Sequence, residues 1–132
     1  CAAGAEVTGV CGPSNLELVS SLGASTVLDY TSTELSRLSE RFDVVMDAVG
    51  RRKSAAALRD AKTLLAPGGR VISVDDGTPA PTRSDLDRVG ALAASGSLRP
   101  VIYLTYPLEE IVEAHRYVDE GHKRGNVILA VA

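Results

Sequence analysis

The chain has no long hydrophobic run. Its most apolar stretches, residues 7–11, 43–49 and 127–131, are only as long as strands, so none is expected to span a bilayer. Cys1-Ala2-Ala3-Gly4-Ala5 carries no basic region and no hydrophobic region behind it, which predicts no signal peptide. An excess of one charge sign is also missing. Fourteen Lys and Arg stand against seventeen Asp and Glu, for a net charge of -3, so there is no electrostatic footprint for nucleic acid or an anionic membrane. Cysteine is nearly absent. Cys1 and Cys11, with no Cys-His cluster beside them, do not make a metal site. A disulfide is allowed by count, but Cys11 follows a predicted buried strand, and two reduced thiols in a cytoplasmic protein are expected.

What is present is ordinary globular material. The 132 residues are 45% hydrophobic and 23% charged, enough for one compact domain and too little for two full ones. Short β-branched runs alternate with helical patterns, the signature of a parallel sheet with crossover helices. Strands are predicted at Glu6–Val10, Thr26–Tyr30, Phe42–Val49, Arg70–Asp75, Pro100–Thr105 and Asn126–Val131. The third, the most continuously apolar, reads as a central strand covered on both faces.

Between the strands lie the helix signals. Ser14 and Glu17 have capping-box spacing ahead of Leu16, Leu18, Val19 and Leu22, and Gly23 closes that helix. Residues 32–41 are weakly amphipathic. Lys53–Leu65 is rich in Ala and Leu, and Pro67-Gly68-Gly69 reads as the turn that ends it. Residues 77–82 are linker-like, and Ser84 opens a helix stopped by Gly96. Pro107 begins a last helix whose Leu108, Ile111, Val112, His115 and Val118 fall on one face, which gives His115 a packing role.

In an open parallel sheet, ligands sit outside the carboxyl ends of the strands, so the positions to weigh are residues 11–15, Tyr30, residues 47–50 and residues 74–77. A phosphate cradle is missing: neither G-x-G-x-x-G nor G-x-x-x-x-G-K occurs. Ala2-Ala3-Gly4-Ala5 reads as the last turn of a helix, which places the first strand, the glycine loop and most of that helix upstream of Cys1. The run Cys11-Gly12-Pro13-Ser14-Asn15 ends the first predicted strand with no carboxylate to repel a ribose 2′-phosphate. Ser14, Asn15 and the Tyr30 hydroxyl can donate to such a phosphate, which favours NADP, with NAD as the alternative. No G-x-S-x-G elbow is present, Asp75-Asp76 reads first as a solvated turn, and Arg51-Arg52-Lys53 leaves an anion-binding role open.

Several phrases together resemble the medium-chain dehydrogenase/reductase superfamily, most closely its quinone oxidoreductase-like branch (the zinc-binding dehydrogenase cofactor domain). They are residues 2–10, Glu17–Ala24 with Val27–Tyr30, Phe42–Gly50, Leu65–Ser73, Gly96–Ile102, Tyr106–Glu110, Ala114-His115 and Gly121–Asn126, in that order over nearly the whole chain. The resemblance implies an α/β, Rossmann-like doubly wound parallel sheet, incomplete at its N-terminus. It implies a partial dinucleotide-binding domain at 1–99 and a strand-helix-strand at 100–132 that packs towards a catalytic domain. It further implies a fragment of an oxidoreductase, inactive alone, whose parent moves hydride from NADPH to a small quinone, enone or carbonyl and could be a homo-oligomer. By position, Gly12, Ser14, Asn15 and Tyr30 would lie at the 2′-phosphate, Val49 and Gly50 at the adenosine and ribose, Val74 and Asp75 at the nicotinamide, and Asn126 near the cofactor. No catalytic acid and no metal ligand are carried over. A lysine common in NADP-binding members stands here as Asn15, and the stretch between Val74 and Ser84 is shorter than usual. Two other readings stay open: a non-catalytic binding module, and an S-adenosylmethionine-dependent methyltransferase, which shares the "FDVV…LLAPGGRVIS" pattern but normally carries an acid where Cys11-Gly12 stands.

Overall fold

A computed structural model describes residues 3–77, 80–121 and 124–131. Expectations that concern Cys1, His122 and the middle of the 77–82 stretch fall outside the described residues. The chain divides into two compact units, Ala3–Thr82 and Arg83–Ala132. Among the described residues, no helix is long and apolar enough to cross a membrane.

The first unit contains β1 (Thr8–Cys11), α1 (Leu16–Ser21), β2 (Thr26–Asp29), β3 (Phe42–Asp47), α2 (Arg51–Lys62) and β4 (Leu65–Ser73). β1 pairs with β2 and β3 with β4, both in parallel, as crossover helices require. α1 can settle on β1 because Gly9 has no side chain: a Cβ there would lie 2.4 Å from Val19 Cγ1. α2 is built from strong helix formers, including Ala55, Ala56 and Ala57, and carries Arg59 and Lys62 in its last turn, where the helix dipole favours cations. Its buried residue, Leu58, joins Leu35 and Leu64 as the core of this unit, and α2 lies against β3, β4 and the 3-10 turn at Leu35–Arg37.

The fold is α/β with parallel pairing, as expected, but among the described residues the strands form three two-stranded ladders rather than one continuous sheet. In a doubly wound order of 3-2-1-4-5-6, strand 1 joins the 2-3 side to the 4-5 side. The described residues supply no strand for that place. Nor is β3 covered on both faces. Val44 and Met46 are exposed, the latter at 63%, as is Ile72, the register partner of Met46 on β4, while α2 covers the opposite side.

Pro67-Gly68-Gly69 is also not the end of a helix. α2 stops at Lys62, Leu64 is buried, and β4 has already begun at Leu65, so the Pro-Gly-Gly segment lies within the strand where the register against β3 shifts. Gly69 lets the backbones close there, since a Cβ would lie 2.9 Å from the carbonyl oxygens of both Ala66 and Phe42.

The second unit contains α3 (Arg83–Ala94), β5 (Ile102–Pro107), α4 (Ile111–Asp119) and β6 (Asn126–Ala130), with β5 and β6 again parallel. α4 buries Ala114 and stacks Tyr117 on Tyr103 of β5, with ring centroids 6.1 Å apart. The apolar stripe read from the sequence points elsewhere: Leu108, Ile111, Val112, His115 and Val118 are all exposed. His115 therefore has no packing role within this unit. A two-stranded ladder is narrow, and the small Ala114 and flat Tyr117 rather than the bulkier stripe meet it.

Candidate functional site

Residues singled out from the sequence gather at two places in the first unit, each at the carboxyl ends of a ladder. At the first, Cys11 of β1 stands in register with Asp29 of β2, and Tyr30 N–H donates to Cys11 O at 3.2 Å. Pro13 then turns the chain into a 3-10 turn, Pro13–Asn15, closed by Asn15 N–H on Gly12 O at 3.0 Å. α1 begins only after this turn. Asn15, not Ser14, is at its N-cap position, neither makes a side-chain cap, and the expected capping box does not form. The Tyr30 ring lies over Gly12, where a Cβ would come within 3.3 Å of the phenol oxygen.

Among the described residues, Ser14 and Asn15 at this end keep polar groups unused. Ser14 is exposed, and its hydroxyl has no partner among the described residues. Asn15 Oδ1 is buried and accepts no hydrogen bond, a condition that costs free energy unless a donor arrives. A carboxylate missed in the sequence lies nearby. Asp29 Oδ1 accepts from Thr31 N–H and Thr31 Oγ1, both at 2.8 Å, and these bonds hold the acid below its ordinary pKa. Burial, followed by the Asp29 charge, pushes the free Cys11 thiol upward. That thiol is a poor nucleophile.

At the second place every polar group is engaged. Asp47, at the end of β3, is only 5% exposed. Its Oδ1 accepts from Val49 N–H and Gly50 N–H, both at 3.1 Å, and its Oδ2 accepts from Ser73 Oγ at 2.8 Å. Burial alone would raise this carboxyl, but hydrogen bonds from the Ser73 hydroxyl and the Val49 and Gly50 amides outweigh it and hold the pKa below its ordinary value. Ser73 Oγ also accepts from Asp75 N–H, and Asp76 Oδ2 accepts from Ser73 N–H in a capping box around the 3-10 turn Val74–Asp76.

Two further contacts reach α2. Arg51 N–H donates to Asp75 Oδ2 at 2.7 Å, and the Arg51 guanidinium pairs with Asp76. Asp75 and Asp76 are therefore not a free solvated turn. They cap and neutralise the start of α2, and Arg51 is not free to take an external anion. Gly50 makes this closure possible: its φ is +97°, and a Cβ would lie 3.3 Å from both Asp75 carboxylate oxygens. Val49 and Val74 flank the network with their side chains exposed.

Of the positions named from sequence, Gly12, Ser14, Asn15 and Tyr30 come together at the first place, and Val49, Gly50, Val74 and Asp75 at the second. Asn126 opens β6 in the second unit, where its N–H donates to Val101 O at 2.7 Å. Asp47 was marked from the sequence only as part of the strand end at residues 47–50, with no role of its own, and Ser73 was passed over. Their only signal was an acid inside the apolar run of residues 42–49.

The described residues contain no group of three or more His, Cys, Asp or Glu side chains able to hold a metal. A dinucleotide does find fitting groups. The orphaned Asn15 Oδ1 and the free Ser14 hydroxyl are the kind of partners a ribose or phosphate needs, and they lie at a strand's carboxyl end.

Known proteins bear on this geometry. The mitochondrial NAD(P)H oxidoreductase RTN4IP1 of Mus musculus is 31% identical over 97% of this chain and 42% of its own length. A chloroplastic NADPH-dependent alkenal/one oxidoreductase of Arabidopsis thaliana is 27% identical over 94% of the chain and 33% of its own. Among solved structures, an NAD-dependent alcohol dehydrogenase superposes with a TM-score of 0.76 at 27% identity, over 98% of this chain and 45% of that one. The quinone oxidoreductase of Coxiella burnetii shares the fold, with a TM-score of 0.69 at 21% identity over 96% of this chain and 45% of that one. The chain thus spans less than half the length of these proteins.

The relatives overturn the cytoplasmic expectation, because they carry mitochondrial and chloroplastic designations. Reduced thiols and a mildly acidic charge suit an organelle interior as well as a cytosol, so composition held no address. A family model described as zinc-binding dehydrogenase matches residues 22–84 and 77–129, well over half of the sequence. This chain belongs to the zinc-binding dehydrogenase family of the medium-chain dehydrogenase/reductase superfamily.

Proposed function

We propose that this chain is the cofactor-holding part of an NAD(P)H-dependent reductase whose substrate is a small quinone, enone or related carbonyl compound. The observation that carries the proposal is the buried, unpartnered Asn15 Oδ1 beside the free Ser14 hydroxyl at the end of β1. A ribose hydroxyl would satisfy the amide oxygen. Ser14, the Asn15 amide NH2 and the Tyr30 hydroxyl can donate to a 2′-phosphate. NADP is the preferred cofactor on this reading, since no carboxylate stands at Cys11-Gly12 and the Asp29 carboxylate is held by Thr31.

When bound, the nicotinamide supplies the hydride chemistry. The chain's own residues bind and orient. Gly12 and Tyr30 shape the end of the first ladder, and Val49, Gly50, Val74 and Asp75 line the end of the second. No residue of this chain is assigned a proton-transfer role. A non-catalytic binding module is the second reading, favoured by the open apolar face that Val44, Met46 and Ile72 leave on β3 and β4.

Fluorescence titration with NADPH, with NADH and S-adenosylmethionine run in parallel, tests the proposal. NADPH emission is expected to rise on binding, more strongly than that of NADH. No enhancement from either dinucleotide, alongside clear binding of the methyl donor, would overturn it. Binding of none of the three would favour the module.

A further inference from the structure

The use of one carboxylate to hold two loops has a consequence for the cofactor crevice proposed at these strand ends. Asp47 is buried, yet both of its oxygens are engaged, and they serve different segments. Oδ1 holds the Val49 and Gly50 amides of its own strand end, while Oδ2 holds Ser73, the last residue of β4, 26 positions along the chain. Through Ser73 Oγ the same carboxylate supports the Asp75 amide, and Asp75 in turn holds the first N–H of α2. A neutral side chain cannot reproduce this pattern, because it needs three donors converging on two acceptor atoms. Hydrogen bonds to an ionised acceptor are also about twice as strong as neutral ones.

We propose that Asp47 is a positioning residue that fixes, with a single buried carboxylate, both the Val49–Gly50 wall and the Val74–Asp75 wall of the crevice. The inference rests on the reading that this crevice holds a nicotinamide dinucleotide. Asp47 touches no ligand in this scheme. It acts through Gly50 on the adenosine and ribose side and through Ser73 on the nicotinamide side. The two sides can therefore be separated by substitution. In Asp47→Asn the amide oxygen still accepts from Val49 and Gly50, but the NH2 group faces Ser73 Oγ, so the hydroxyl can no longer donate there and its bond to an ionised acceptor is replaced by a weaker neutral one at best. In Asp47→Ala both walls lose support. In Ser73→Ala only the second wall does.

The test is to measure dissociation constants for NADPH and for ADP-ribose, which lacks the nicotinamide, in the full polypeptide and in these variants. Asp47→Asn and Ser73→Ala are each expected to weaken NADPH by about tenfold, the scale of one lost bond to a charged acceptor. ADP-ribose should stay within about threefold, since the first wall keeps its hydrogen bonds. The double variant should be no weaker than Ser73→Ala alone, because that change already removes the contact that Asp47→Asn alters. Asp47→Ala should weaken both ligands; if it fails to fold, Asp47→Asn and Ser73→Ala decide the matter. Unchanged NADPH binding in those two variants would overturn the proposal. So would equal losses for NADPH and ADP-ribose that track melting temperature, since that marks a merely structural role. Failure of the unsubstituted protein to bind either ligand would instead sink the proposed function, and this inference with it.

Discussion

The carboxyl ends of the two ladders in the first unit use their polar groups in opposite ways. At the end of β1 and β2, Ser14 and Asn15 Oδ1 have no partners among the described residues, and Asp29 Oδ1 is held locally by Thr31, two residues along. At the end of β3 and β4, Asp47, Ser73, Asp75, Asp76 and Arg51 are bound to one another across two loops and a helix start. The first is a set of groups awaiting a partner, and the second is a frame already closed. A binding crevice needs both, because affinity comes from groups that gain partners on binding and specificity of pose from groups that do not move.

The largest effect on this contrast is expected at Gly50. Gly50→Ala forces a side chain into a positive-φ conformation and against the Asp75 carboxylate, and should cost about 1–3 kcal/mol of stability. Denaturant unfolding would show it as a lowered midpoint. Next comes a change of opposite sign at the open end. Asn15→Leu removes a buried unpartnered acceptor and should stabilise the ligand-free protein by about 1 kcal/mol while weakening NADPH binding. If it destabilises, Asn15 Oδ1 has a partner in solution and the contrast between the two ends weakens.

A smaller, pH-restricted effect follows from Asp47. Its folded pKa lies below the unfolded one, so its contribution is present above about pH 4 and is lost as pH falls through the folded value. Melting temperature followed between pH 6 and pH 2.5 should fall more steeply below pH 4 for the unsubstituted protein than for Asp47→Asn. The smallest effect belongs to the Arg51 side chain, whose ion pair with Asp76 is about half exposed. Arg51→Ala should change stability by less than about 0.5 kcal/mol, because its backbone N–H still meets Asp75.

Much of this architecture was readable before any coordinates. The β-branched runs at residues 26–29 and 42–47 and the Ala-rich stretch at residues 51–62 announce their elements through local periodicity, and the strands and long helices lie where the pattern puts them, within a few residues except at β4, which begins five residues before the expected Arg70. Reading failed where a local signal had two structural uses. Pro67-Gly68-Gly69 breaks a helix as readily as it makes a bulge, and only the pairing of Phe42 with Leu65 selects the bulge. The stripe through His115 is amphipathic, but which side is buried depends on what faces the helix, and Tyr103 draws Tyr117 inward. At the candidate site, residues 11–15 and residues 47–50 were marked out by lying at strand ends. The singling out of Asp47 within the second group, and of Ser73 outside both, was not readable, because nothing local distinguishes an exposed Asp from one that spans two loops.

The sequence by itself determined the alternation of strands and helices, the absence of a phosphate cradle and the family, because these depend on neighbours along the chain. The tertiary structure alone decided that the strands pair in three ladders, that Asp75 caps a helix beginning 24 residues earlier, and that Asp47 is engaged while Asn15 Oδ1 is not. Those outcomes are set by which backbone amides and hydroxyls arrive beside a side chain in space, and residues two dozen positions apart carry no local trace of that meeting.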